Sequence, residues 1–208
     1  MPSQTSAWRR ALADYIRAQA KPVDKYSHQP RLYALACQLA TAPELAGIAL
    51  DDDILYAACW LHDLGVFIGH RPEAPEALAQ WDNLTYVLAQ APALLAGWGF
   101  PEQKIPAVLA AIAEHLPHAQ PSSPEALLLH DADLLEQLGA IGLLRAICKI
   151  GRDTRYATFA DVMPVIARAA TLVGKLHSQA ARQAAEPRLA LLQHFLLAVQ
   201  AEAGDGPL

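Results

Sequence analysis

Apolar residues recur every three or four positions along most of the chain, and that spacing predicts helices. Trp8, Ala11, Leu12, Tyr15 and Ile16 fall on one stripe behind Ser6, a residue type that caps helix N-termini. Leu32, Leu35, Ala36 and Leu39 form a second stripe, in a helix that starts near Pro30 and ends before Pro43. The triplet Asp51-Asp52-Asp53 opens a third helix, which runs through Ile54, Ala58 and Leu61 and stops around Gly65. Positions 66–80 hold Gly69, Pro72 and Pro75 and read as a loop. Further helices are predicted over 81–97, 101–116, 124–150, 161–185 and 187–202, with Pro101, Pro124 and Pro187 in first turns. Alternating strand patterns are almost absent. The expected fold class is all-α, a single-domain helical bundle. Its expected layout is an N-terminal helix over 1–21 packed on the domain, a helical domain over 22–202, and a frayed tail over 203–208.

Composition narrows the function classes. The 208 residues are 53% hydrophobic and 18% charged, which excludes a disordered chain and allows a sizeable core. A net charge of −5 provides no basic field for nucleic acid, so an anionic substrate must be held locally, by a metal or a few basic side chains. The first fifteen residues lack the apolar core of a signal peptide, and no apolar run approaches the roughly 18 residues of a membrane span. Cys37, Cys59 and Cys148 are isolated among apolar neighbours and read as buried free thiols of a reducing compartment. A cytoplasmic protein is the expectation, with no nucleic-acid or membrane partner.

The segment ACWLHDLGV, Ala58 to Val66, is apolar apart from His62 and Asp63. Neighbours on a helix point about 100° apart, so the pair does not serve one solvated face. Placed where the chain turns at Gly65, both can face a cleft, where an imidazole and a carboxylate suit a divalent metal. Two ligands are too few, so others must come from elsewhere. A His-Asp dipeptide alone is weak evidence, because the chain has a second at His130-Asp131.

Order and surroundings add to the case. His28 precedes the second helix in SHQPRLYALACQLA, and Asp131 and Asp133 stand within HDADLLEQLGAIGLLR. A histidine, then His-Asp-x-Gly, then a late aspartate in an apolar helix resembles the HD-domain metal-dependent phosphohydrolase superfamily. Gly99-Phe100-Pro101, Ile112 with His115, and a C-terminal helix with Arg188 and Glu202 are similar to small single-domain bacterial members. The resemblance spans roughly residues 22 to 202.

That resemblance implies His28, His62, Asp63 and a late aspartate as ligands of one divalent ion (Mn, Mg, Fe, Co or Ni). The superfamily's alanine-aspartate pattern selects Asp133. Helical angles leave Asp131 open, either as the ligand or as a helix cap. Asp63 would orient water, and His115 would serve as proton donor or phosphate-oxygen partner. Arg31, one turn beyond His28, is the favoured phosphate contact, and Arg145 and His118 are further substrate-binding candidates. Arg145, Lys149 and Arg152 share a helix face. His70, His177 and His194 read as ordinary polar residues.

Some family features are missing. Val66 stands where relatives often have arginine. Trp81-Asp82-Asn83 lacks the histidine that two-metal members carry before the His115 position, which leaves a second metal without that ligand. No glutamate follows Asp63 by a turn. The implied activity is hydrolysis of a phosphate ester or anhydride, most naturally of a nucleotide. Two other readings remain: a di-iron HD-type oxygenase, and a non-catalytic module that only binds a nucleotide or partner.

Overall fold

The computed structural model describes residues 6–152, 155–204 and 206. Ten α-helices are found among them: α1 (Ala7–Gln19), α2 (His28–Ala40), α3 (Asp52–Leu61), α4 (Pro75–Ala79), α5 (Asn83–Gly97), α6 (Ile105–Ala113), α7 (Pro124–Glu136), α8 (Gly139–Ile147), α9 (Phe159–Ala169) and α10 (Gln179–Ala203). There is no strand among the described residues, only one isolated bridge between Ile68 and Arg71. The fold is therefore all-α. Among the described residues no helix is long and apolar enough to cross a membrane. Contacts gather into two compact units, Met1–His130 and Asp131–Leu208, divided within α7.

In the first unit α3 is the central helix. All eight residues from Ile54 to Leu61 are buried. Asp51 caps α3 by accepting from the backbone N–H groups of Asp53 and Ile54, so the acidic opening signals the helix start as its chemistry requires. Around that end Arg9 of α1 donates to Asp52 and Asp53 at 2.8 and 2.7 Å, and Lys104 reaches Asp51 and Asp53 at 2.8 and 3.1 Å. Burial works against the charge of Asp53, yet the hydrogen bonds from Arg9 and Lys104 outweigh it and hold its carboxyl below the usual value. Helix α1 presents Trp8, Leu12 and Ile16 to this core, as its stripe predicts. The Ser6 side chain makes no capping bond, contrary to the expectation for that residue. Helix α2 buries Leu32, Leu35, Ala36 and Leu39 and starts two residues earlier than expected, at His28.

The second unit has its own core, in which Leu143 and Ala146 of α8, Val162 and Ile166 of α9 and Leu192 of α10 are buried together. Its helices depart from the predicted ones. The single helix expected over 124–150 breaks into α7 and α8. Gly139 adopts φ of +69°, and a Cβ at Gly142 would lie 2.1 Å from the carbonyl oxygen of Gln137, so the chain folds back tightly there. The helix expected over 161–185 ends at Ala169 and tightens to a 3₁₀ turn, Ala170–Lys175. Pro187 lies inside α10 rather than opening it, because Ser178 caps the helix earlier by accepting from the Ala181 N–H.

In the expected loop 66–80, Pro75 begins the five-residue α4. The thiols are free, with Cys59 buried and Cys148 exposed. The expected frayed tail begins at Ala203, the last residue of α10, and its positions 205, 207 and 208 lie outside the described residues.

Candidate metal centre

His28 opens α2 and His62 follows the last residue of α3. The two helices run side by side in opposite directions: Tyr33 of α2 donates to Asp52 at the start of α3, while His28 meets His62 beyond its end. This pairing brings the Nε2 atoms of His28 and His62 to 3.3 Å, with their rings edge to face. Both imidazoles are buried. Asp63 turns out of the helix and is partly exposed; its Oδ2 lies 3.9 Å from His28 Nε2 and its Oδ1 3.8 Å from His62 Nε2.

Tautomers follow from the backbone. His62 Nδ1 lies 3.0 Å from the carbonyl oxygen of Cys59, one turn back on α3. A carbonyl only accepts, so Nδ1 carries a proton, and in the neutral imidazole Nε2 keeps its lone pair. His115 repeats the arrangement just beyond α6, with Nδ1 against the carbonyl of Ile112. Its ring stands edge to face with that of His62 at 5.1 Å, and it too is buried. Helix α6 runs parallel to α3, which sets Lys104 beside Asp53 at one end and His115 beside His62 at the other.

These residues fit a divalent cation. Two neutral imidazole nitrogens about 2.1 Å from one ion, at roughly 100° to each other, would be separated by about 3.2 Å. The His28–His62 spacing matches that, and a nearby carboxylate supplies charge. Imidazole nitrogen with carboxylate oxygen suits a divalent ion better than a soft, thiolate-seeking one.

The turn that carries this chemistry is held from outside. Where α3 gives way to a 3₁₀ turn, Leu64–Val66, the Val66 N–H bonds to the Asp63 carbonyl rather than, as in a continuing helix, to the His62 carbonyl. Asn83 Nδ2 donates to it at 3.2 Å. Trp81 Nε1 donates to the Gly65 carbonyl at 2.8 Å. Asp82, between them, caps α5 by accepting from the Thr85 N–H and hydroxyl. A Cβ at Gly65 would meet Asn83 Oδ1 at 2.5 Å and Tyr86 Cδ1 at 2.9 Å, so α5 seats against the turn only when residue 65 is glycine. The pattern Asp82-x-x-Thr85 signals a helix start, but nothing in the sequence points Trp81 and Asn83 at the turn.

The other candidates lie as follows. Arg31 is on α2, three residues past His28 and half-buried. His118 is exposed in the turn after His115. His70, read as ordinary from the sequence, bridges Tyr86 Oη at 2.8 Å and Gln19 Oε1 at 2.9 Å, and burial pushes its pKa down. In the second unit Asp131 is buried and accepts from the N–H groups of His177 and Ser178 and from the Ser178 hydroxyl. Asp133 is half-buried and accepts from the Gln137 amide at 3.3 Å. Arg145 lies 3.8 Å from the Glu136 carboxylate, and Arg188 donates to the Leu135 carbonyl at the end of α7.

Residues 26–138 match the family model of the HD domain. That is more than half of the chain, and the chain belongs to this family. Solved structures share the fold. An HD-superfamily hydrolase of Bacillus thuringiensis is 22% identical with a TM-score of 0.65, over 95% of this chain and 97% of its own. One from an uncultured Thermotogales bacterium is 23% identical with a TM-score of 0.60, over 94% and 92%. Bacillus subtilis YpgQ, solved in complex with ADP, is 16% identical with a TM-score of 0.67, over 95% and 98%. No curated protein matches the chain.

Proposed function

We propose that this protein hydrolyses a phosphate ester or anhydride at a single divalent-metal site, and that its substrate is a nucleotide. The observation that carries the reading is the convergence of His28 and His62 Nε2, 3.3 Å apart, beside the Asp63 carboxylate. His28 and His62 are the proposed nitrogen ligands, Asp63 is the carboxylate beside them, and Asp133 is the proposed late ligand. The fold's occurrence in YpgQ bound to ADP supports the nucleotide class.

One divalent ion supplies Lewis acidity toward phosphoryl oxygens and acidifies a water molecule. The protein's own side chains do the rest. Asp63, partly exposed where the histidines are buried, accepts a proton from water and orients it for in-line attack. His115, protonated at Nδ1, takes up or returns a proton at Nε2 next to the leaving oxygen. Arg31 supplies a planar pair of donors to phosphate oxygens. Arg145 contributes only by sharing its guanidinium with Glu136, and His118 reaches substrate only from the rim.

The test is a screen of nucleotides and phosphomonoesters for release of phosphate and pyrophosphate, with Mn²⁺ or Mg²⁺ added. Metal-dependent release that disappears in His62→Ala and Asp63→Ala is expected. Tight nucleotide binding without release from any compound would assign the pocket to binding alone.

A further inference from the structure

The carbonyl of His62, just beyond the last residue of α3, and that of Gly65, in the 3₁₀ turn Leu64–Val66, belong to the proposed metal-binding turn. Both carbonyls are taken up by side chains from one short segment, through Asn83 Nδ2 and Trp81 Nε1. The same Asn83 lays its Oδ1 against Gly65, where no Cβ fits. Trp81 is itself fixed by its ring, tilted against Tyr86 at 5.2 Å. Asp82 locks the segment in register by capping α5. Three consecutive residues therefore act on a four-residue turn whose first two side chains are proposed ligands.

We propose that Trp81 and Asn83 are positioning residues of the metal centre: through the His62 and Gly65 carbonyls they set the direction of the His62 ring and the Asp63 carboxylate. The inference rests on the metal reading above. Holding these carbonyls fixes the 62–63 and 65–66 peptide planes, which bracket the residues from Asp63 to Gly65 where the chain leaves helical geometry. Without the two donors the His62 and Gly65 carbonyls lose the side-chain bonds that fix their directions, and the ring and carboxylate carried by the same turn lose that restraint. Groups that orient ligands in this way shift metal affinity about 10–100-fold when removed.

The experiment is calorimetric titration of Mn²⁺ into purified metal-free protein, with circular dichroism and melting temperature recorded for each variant. Asn83→Ala and Asn83→Asp should raise the Mn²⁺ dissociation constant about 10–100-fold, the second because a carboxylate cannot donate to the His62 carbonyl. Trp81→Phe keeps an aromatic ring beside Tyr86, loses the indole N–H, and should weaken binding in the same direction. Thr158→Ala, which removes a capping box at the start of α9, should lower the melting temperature and leave Mn²⁺ affinity unchanged. Wild-type affinity retained in Asn83→Asp and Trp81→Phe, with or without a lower melting temperature, would overturn the proposal and leave the metal reading standing. A wild-type protein that takes up no Mn²⁺ would remove the metal reading itself, a result visible before any variant is made.

Discussion

Asp131 Oδ2 accepts both the backbone N–H and the hydroxyl of Ser178, at 2.8 and 2.6 Å, and so ties the start of α10 to the second half of α7. A third bond, from the His177 N–H, fills the other oxygen. This is the bonding of a helix cap, while Asp133, two residues on, accepts from the Gln137 amide. Asp131→Ala should strand buried donors and lower stability by on the order of 3 kcal/mol. Asp133→Ala should lower the melting temperature by less than Asp131→Ala and should abolish Mn²⁺ binding. Thermal melts paired with metal titrations of the two variants read this; the opposite pattern would exchange their roles.

Chelation should stop turnover while leaving the helices folded, because the cores described above close without an ion. Circular dichroism in excess EDTA checks it: unchanged helicity is expected, and unfolding would make the ion structural. His62→Ala and Asp63→Ala should each cut activity by at least 100-fold.

Gly65→Ala should be far more damaging than a surface glycine change. The added methyl meets Asn83 and Tyr86 within 2.9 Å, and overpacking of this kind costs about 1–3 kcal/mol. Denaturant unfolding should show that loss, together with weaker Mn²⁺ binding. Gly97→Ala, with open space around it, should show neither.

Acid should weaken the fold in two stages. Burial lowers the pKa of His70 from its ordinary 6.5, so below that value the unfolded chain binds the proton more readily than the folded one. The stability due to neutral His70 is thus present above pH 6.5 and is lost as pH falls through the depressed folded value. Asp53 behaves likewise in a lower window, since its pKa is held below 3.8 by Arg9 and Lys104 against its burial. Melting temperature against pH should therefore decline below about 6.5, and His70→Gln should flatten that first stage only.

Helices with a cap and an apolar stripe were legible: α1 through Trp8, Leu12 and Ile16, α2 through Leu32 to Leu39, and α3 through its acidic opening. The break between α7 and α8 was not. Apolar spacing runs unbroken from Leu127 to Ile147, and the break depends on the positive φ of Gly139 and the close seat of Gly142, both set by tertiary packing. The meeting of His28 with His62 could be read only from motif order, since periodicity within each helix says nothing about which helix ends come together. Trp81 and Asn83 escaped notice because a side chain that serves a distant carbonyl looks the same in sequence as any polar residue at a helix start. His70 was passed over for the same reason.

Helix α3 has no wet side. Every residue from Ile54 to Leu61 is buried, its acidic start is gripped by Arg9 and Lys104, and its far end runs into the turn held by Trp81 and Asn83. In a saturation library scored for function, tolerated substitutions along α1 should rise and fall with the helical repeat, because only one face is hidden. Along α3 that rhythm should vanish. The eight positions would appear as one uninterrupted block of intolerance, including small ones such as Ala57 and Ala58, where a larger residue has nowhere to go.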